Sequence, residues 1–112
     1  MNRLLQHWLT EQAEKFPDKT AIRMGDQSLS YQELERASNR LARILGENGC
    51  RQGDRVGFYM PKSPEAYISI FGILKADCLY VPLDPEGPVL RTIKMINKGG
   101  VRFLLTTRKS GR

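Results

Sequence analysis

Residues 55–106 read RVGFYMPKSPEAYISIFGILKADCLYVPLDPEGPVLRTIKMINKGGVRFLLT, and this stretch alternates between two kinds of segment. Three segments are rich in β-branched and aromatic residues and predict strands: 55–60, 78–83 and 101–106. The segments between them predict helices over 64–75 and 88–98. Because strands that alternate with helices over short connections are parallel, with right-handed crossovers, we expect an α/β fold built on three parallel strands.

Both crossover helices have recognisable boundaries. Ser63 and Pro64 fit the N-cap and first position of one helix. Pro88 opens the other helix, which residues 99–100, two glycines, end. Since residues 64–75 are apolar almost all round, we expect that helix to be buried on most sides.

The first half of the chain predicts a helix, a hairpin and a second helix. The first helix runs from Asn2 to Lys15. Two strands, Thr20–Met24 and Gln27–Ser30, flank a Gly-Asp turn and predict a β-hairpin. One face of the first helix carries the apolar residues and should be buried: Leu5, Trp8, Leu9, Ala13 and Phe16.

The second helix, residues 31–47, has a capping box at its start. The side chains of Ser30 and Glu33 can each accept a hydrogen bond from the other residue's backbone N–H. Leu29 and Leu34 can meet as a hydrophobic staple, and Gly49 can end the helix in the left-handed conformation. A buried stripe is predicted along one face: Leu34, Ala37, Leu41 and Leu45.

Composition excludes several classes of protein. At 112 residues, with 40% hydrophobic and 27% charged residues, the chain fits one globular domain. It has no apolar run long enough for a membrane span and no secretory leader, so we expect a cytoplasmic protein. The cysteines, Cys50 and Cys78, lack metal-ligand spacing and are expected to be reduced thiols.

The net charge of +6 is concentrated at one end of the chain. Residues 1–87 carry a balance of −1, whereas residues 88–112 carry seven cations and no acid. Such a segment is typical of a nucleic-acid-binding surface. It is also expected where the acidic complement lies on a partner or on sequence absent from this chain, and we favour this second interpretation.

Candidate chemistry is sparse. There is no phosphate-binding GxxxxGK[ST] loop, no GxGxxG and no GxSxG, and His7 is expected at the surface. Ligands of parallel sheets bind at the carboxyl ends of the strands, here residues 60–63, 83–87 and 106–107. Lys62 and Ser63 can hold an anion there, although Ser63 is already explained as a helix start. Asp84 is favoured as a turn cap over a ligand contact.

Two motifs resemble the core motifs of adenylate-forming enzymes. Residues 29–34, LSYQEL, match L-[ST]-Y-x-E-L, and residues 74–85, LKADCLYVPLDP, are similar to LKAGxAYVPIDP. The order and spacing fit, and the similarity extends over nearly all of residues 3–107. Asp77 replaces the family's glycine and Leu79 its alanine. If that glycine serves a positive φ, aspartate is tolerated there at a cost in stability.

The resemblance implies a domain organisation and an activity. Residues 1–107 correspond to the incomplete N-terminal portion of an AMP-dependent synthetase or ligase, followed by a basic tail at 108–112. The intact family, which includes nonribosomal peptide synthetase adenylation domains and acyl-CoA ligases, uses ATP and magnesium to form an acyl-adenylate. Its phosphate-binding loop and all later motifs are absent from these residues. No catalytic, cofactor-binding or metal residue is therefore assigned, and no ATP or Mg binding by this chain alone is expected.

Three hypotheses follow. The first is an N-terminal fragment of a carboxylic-acid-activating ligase, inactive alone, which needs self-association or a second polypeptide carrying the remainder. The second is an independent α/β module that binds a partner protein. The third is a basic nucleic-acid-binding domain. We prefer the first hypothesis, because it is the only one of the three that the motif resemblance supports.

Overall fold

A three-stranded parallel sheet forms the centre of the fold. In the computed structural model, which describes residues 3–107, β3 (Arg55–Tyr59) lies between β4 (Leu79–Leu83) and β5 (Val101–Thr106). Both pairings are parallel, which confirms the predicted α/β class. The predicted start at Asn2 and the predicted basic tail at 108–112 lie outside the described residues.

The remaining elements follow the predicted order. They are α1 (Arg3–Lys15), β1 (Thr20–Met24), β2 (Gln27–Ser30), α2 (Tyr31–Glu47), α3 (Pro64–Lys75) and α4 (Val89–Gly99). β1 and β2 form the expected antiparallel hairpin, and Gly25 at the turn has a φ of +58°. No helix within residues 3–107 has the length and apolar character that a membrane span requires.

The buried face of α1 differs from the prediction. Leu9 is fully buried, but Leu5, Trp8 and Phe16 are between 43% and 47% exposed. The buried polar residue on this helix is Gln6, whose Nε2 donates to the Leu74 carbonyl oxygen at 2.9 Å. α1 therefore contacts α3 through a polar side chain, which the spacing of apolar residues could not predict.

The capping box at the start of α2 is formed. The Glu33 N–H donates to Ser30 Oγ at 3.1 Å, and the Ser30 N–H donates to Glu33 Oε1 at 2.8 Å. Leu29 packs against the cluster that contains Leu34, as the staple requires. Leu34 and Leu45 of the predicted stripe are buried, while the other two members are half-buried.

α3 is the central helix, and a glycine sets how closely α2 can approach it. A methyl group added at Gly72 would lie 2.6 Å from Cδ2 and 2.9 Å from Cβ of Leu41. On its sheet side α3 packs with Val56, Phe58 and Met60, and on its other side its own Phe71 packs with Leu9 and Leu34. The prediction that this helix is buried on most sides is confirmed.

The helices α2 and α3, which lead into β3 and β4, end in the same hydrogen-bond pattern. At α2, the Gly49 N–H donates to Gly46 and the Cys50 N–H to Leu45. At α3, the Asp77 N–H donates to Leu74 and the Cys78 N–H to Ile73. These are Schellman motifs, which need a left-handed residue after the C-cap. Gly49 has a φ of +90° and Asp77 a φ of +60°, so the family's glycine position is a positive-φ position here.

Some boundaries of the strands and of α4 differ from the prediction by one residue. β4 begins at Leu79 instead of Cys78, because the Cys78 N–H is used to end α3. β3 ends at Tyr59, so Met60 belongs to the loop that leads into α3. α4 extends one residue beyond Lys98, and Gly100 at its C-cap has a φ of +67°.

One face of the sheet is well covered and the other is thinly covered. Right-handed crossovers place α3 and α4 on opposite faces, because β4 and β5 lie on opposite sides of β3. α4 has no buried residue, and Val89 and Leu90 are 66% and 75% exposed. Leu104, which lies on the α4 side next to Gly57, is 49% exposed. Large apolar side chains are therefore left exposed on the α4 side of the sheet.

The contact between α2 and α3 predicts opposite effects for two Gly→Ala substitutions. Gly72→Ala should lower the free energy of unfolding by about 1–3 kcal/mol, because the new methyl group overpacks Leu41. Gly46→Ala is the matched control, since a methyl group there meets nothing within 4 Å. It should raise stability by about 0.5–1 kcal/mol through helix propensity. Urea unfolding measures both, and equal effects would refute the close approach.

The capping box predicts a coupled pair of substitutions. Ser30→Ala should cost about 1 kcal/mol through the lost N-cap hydrogen bond. Adding Glu33→Ala to that variant should cost less than it does in the wild type, because both side chains serve one motif. A double-mutant cycle by denaturant unfolding tests this, and additive effects would contradict a formed box.

Candidate functional site

The carboxyl ends of the three parallel strands meet at one edge of the sheet, as predicted. The loop after β3 separates two open clefts at this edge. The first, about 570 Å³, lies between residues 60–63 and the end of β5 at 105–107. The second, about 510 Å³, lies between the same loop and the turn after β4 at 82–86. The three segments singled out from the sequence therefore do converge.

The first cleft is mainly apolar. Met60, Ile68 and Leu105 line it, and Glu65 and Thr106 supply polar groups at its rim. The Ser69 hydroxyl, also in the lining, lies 3.7 Å from the sulfur of Met60 and donates to the Glu65 carbonyl oxygen at 2.9 Å. Such a surface is suited to packing against apolar groups and presents few convergent donors.

Lys62 and Ser63, the residues considered for an anion site, lie just before the start of α3. Ser63 is the N-cap residue, as predicted, but its hydroxyl donates to the Pro61 carbonyl oxygen at 2.9 Å and makes no cap bond. Lys62 is exposed and lines the second cleft. Glu65 places a carboxylate in the first turn of the helix, where it already complements the helix dipole.

Asp84 closes a turn, which confirms the favoured interpretation. Its Oδ1 accepts from the Glu86 N–H at 2.9 Å, and its carbonyl oxygen accepts from the Gly87 N–H at 3.1 Å. The Tyr59 hydroxyl donates to the Pro85 carbonyl oxygen at 3.4 Å and ties this turn to the end of β3. The Asp84 carboxylate therefore stabilises the turn that lines the second cleft.

The other candidate residues lie away from the sheet edge. His7 is exposed on α1, as expected. Cys50 and Cys78 are both free thiols, half-buried and buried respectively, and they lie at the opposite, amino-terminal end of the strands. The two sulfur atoms are 3.0 Å apart, a juxtaposition that the 28-residue separation in sequence did not predict.

A half-buried ion pair between α2 and α3 was also missed from the sequence. Lys75 Nζ donates to Glu35 Oε1 at 2.6 Å, Ser38 Oγ at 2.7 Å and Asn39 Oδ1 at 2.9 Å. Thr10 of α1 donates to the same carboxylate. Burial lowers the pKa of Lys75, and the hydrogen bond and charge of Glu35 oppose that shift. The sequence feature that could have indicated this ion pair is Lys75, a lysine at the end of a mostly apolar helix.

Sequence comparison supplies the family. Residues 9–112 match the AMP-binding enzyme family. The chain is 44% identical to gramicidin S synthase 2 of Brevibacillus brevis over 102 residues, which cover 91% of this chain and 2% of that protein. It is 42% identical to tyrocidine synthase 3 of Brevibacillus parabrevis over 110 residues, 98% of this chain and 2% of that protein. The chain thus spans a very small part of these relatives.

Solved structures agree with the sequence relatives. The nonribosomal peptide synthetase FmoA3, in its α-methyl-L-serine-AMP bound form, matches with a TM-score of 0.90 and 36% identity, over 95% of this chain and 12% of that one. The N-terminal subdomain of NpsA from Klebsiella oxytoca matches with a TM-score of 0.82 and 27% identity, over 90% of this chain and 26% of that one. The chain belongs to the AMP-binding enzyme family and corresponds to part of the N-terminal subdomain of a nonribosomal peptide synthetase adenylation domain.

Proposed function

We propose that this chain is a scaffold segment of an ATP-dependent ligase that activates a carboxylic acid as its acyl-adenylate, and that it is not catalytic by itself. The observation that carries the proposal is the match to FmoA3, whose structure holds an aminoacyl-AMP and whose fold this chain follows over 95% of its length. On this proposal the segment provides the parallel sheet and the two clefts at its carboxyl edge, against which the rest of the domain is built.

The residues at the sheet edge do not fit ATP or magnesium. A triphosphate needs several converging donors, and the described edge offers one exposed lysine, Lys62, beside a hydroxyl already used by Pro61. The Asp84 carboxylate accepts a hydrogen bond from the Glu86 N–H of its turn. Within residues 3–107 no three His, Cys, Asp or Glu side chains gather at metal-binding distance. We therefore assign ATP and magnesium binding to parts of the ligase beyond this segment.

The exposed apolar residues support the scaffold proposal over an independent module. α4 and the adjoining sheet face present Val89, Leu90, Ile93 and Leu104 to solvent. Parallel sheets are normally covered on both faces, so a partner surface is required here. On our proposal that partner is the remainder of the adenylation domain, either in the same polypeptide or in a second one.

The nucleic-acid hypothesis has less support. Arg102, one of the cations of the basic segment, forms an ion pair with Asp54 at 3.0 Å. Arg91 and Lys94 of α4 are exposed but share that helix with the exposed apolar residues. A surface that mixes cations with large aliphatic side chains favours a protein partner, because phosphate backbones offer aliphatic groups nothing to pack against.

Enzyme assays test the proposal in two directions. The purified chain should give no ATP–pyrophosphate exchange above a no-enzyme blank with any carboxylic acid, because it cannot stabilise the charge of adenylyl transfer. In contrast, FmoA3 whose matching segment is replaced by residues 9–107 should show exchange with α-methyl-L-serine. FmoA3 lacking the segment is the control. Exchange by the isolated chain, or a folded chimera as inactive as the deletion, would overturn the proposal.

The thinly covered face predicts dye binding and self-association. The isolated chain should bind a hydrophobic dye, and Leu90→Gln combined with Ile93→Gln should reduce that binding, because both side chains are exposed on α4. Leu5→Gln is the matched control, since Leu5 is 44% exposed but lies on α1. Dye titration and sedimentation velocity measure the effect. A monodisperse, dye-silent wild type would favour an independent module.

A further inference from the structure

Two cysteines far apart in sequence occupy equivalent positions at two helix ends. Cys50 is the second residue past the C-cap of α2, and Cys78 is the second residue past the C-cap of α3. Each backbone N–H closes its helix, Cys50 on Leu45 at 2.9 Å and Cys78 on Ile73 at 3.0 Å. The repeated motif aims both side chains into one gap, where the sulfur atoms are 3.0 Å apart.

The backbone around this pair is held on both sides. The Gly53 N–H donates to the Asp77 carbonyl oxygen at 2.8 Å, and the Leu79 N–H donates to the Asp54 carbonyl oxygen at 2.8 Å. Cys78 Sγ also lies 3.1 Å from the Arg51 carbonyl oxygen. These contacts fasten the loop before β3 to the loop before β4, so the closeness of the two sulfurs is a property of the folded chain and not of a free loop.

We infer that Cys50 and Cys78 are a disulfide-forming pair, a thiol modification site that links the end of α2 to the start of β4. Their sulfur separation is about 1 Å longer than a disulfide bond. The pair lies at the amino-terminal end of the strands, away from the two clefts. The inference is independent of the proposed ligase function.

The oxidant we name is a small-molecule disulfide such as oxidised glutathione. Cys50 is half-buried and Cys78 is buried, so the Cys50 thiolate attacks first. That step forms a Cys50–glutathione disulfide and releases one glutathione. The Cys78 thiolate then attacks the Cys50 sulfur and displaces the second glutathione. The two thiols lose two protons and two electrons in total, and one oxidised glutathione becomes two reduced ones.

Burial raises the pKa of the Cys78 thiol to about 12, and its hydrogen bond with Cys50 contributes to the rise. In the reduced chain the Cys78 thiol therefore keeps its proton near neutral pH. Once formed, the bond closes a loop that contains β3 and α3. It should stabilise the fold by restricting the unfolded chain.

Redox titration of the 112-residue wild-type chain tests the inference. The chain is equilibrated with glutathione redox buffers, once in native buffer and once in urea. The reaction is then quenched with acid, free thiols are alkylated, and the products are identified by mass spectrometry. We expect an intramolecular disulfide joining the Cys50 and Cys78 peptides, with an equilibrium constant at least about tenfold larger in the native chain, because the fold holds the sulfurs together. The oxidised chain should also unfold at a higher urea concentration than the reduced chain.

Several outcomes of this experiment would contradict the inference. An equal or smaller constant in the native chain would mean that the fold resists closure. A stable glutathione adduct or an intermolecular dimer as the main wild-type product would mean that the pair does not close. Cys78→Ser and Cys50→Ser are matched variants: the first should keep a glutathione adduct on Cys50, and the second should react more slowly. If the Cys50→Ser variant reacts faster than the Cys78→Ser variant, Cys50 is not the first cysteine to react with glutathione. The comparison of the wild-type chain in native buffer and in urea does not depend on either variant.

Discussion

The close approach of α2 to α3 at Gly72 is the constraint on which the rest of the structure depends. Because no side chain separates the two helices at that point, Leu41 packs directly on the α3 backbone. α3 then contacts the sheet on one side and the cluster around Leu9 and Leu34 on the other. A bulkier residue at this crossing would force apart the hairpin half and the sheet half of the chain. The half-buried Lys75–Glu35 ion pair joins the same two helices at the end of α3.

The two ends of the parallel sheet have different tasks. At the amino-terminal end, Schellman motifs close α2 and α3, and paired loop hydrogen bonds align the starts of β3 and β4. This end is tightly bonded and holds the two cysteines. At the carboxyl end, the loops diverge around two open clefts, where the Asp84 carboxylate accepts a hydrogen bond within its turn and the Ser63 hydroxyl donates to the Pro61 carbonyl oxygen. The rigid end positions the open end, which is where parallel α/β sheets bind ligands.

The surface chemistry is consistent with a segment of a larger domain. The covered face of the sheet is a packed core, whereas α4 and Leu104 leave the other face exposed. Residues 88–112 carry seven cations and no acid, and one of these cations, Arg102, pairs with Asp54. Apolar exposure and unbalanced charge therefore occur in the same quarter of the chain, as expected for one surface that meets a partner surface.

The sequence by itself determined the order and type of every described element, because apolar periodicity, turn residues and the Ser30–Glu33 capping box are local signals. It also favoured the turn role of Asp84, whereas the positive φ of Asp77 was only a condition attached to the family's glycine and was decided by the structure. Only the tertiary structure decided which apolar residues of α1 are buried, where Lys75 finds its carboxylate, and that Cys50 meets Cys78. Those contacts join residues far apart in the chain, so their existence depends on how α1, α2 and α3 pack together and is not written in any local pattern.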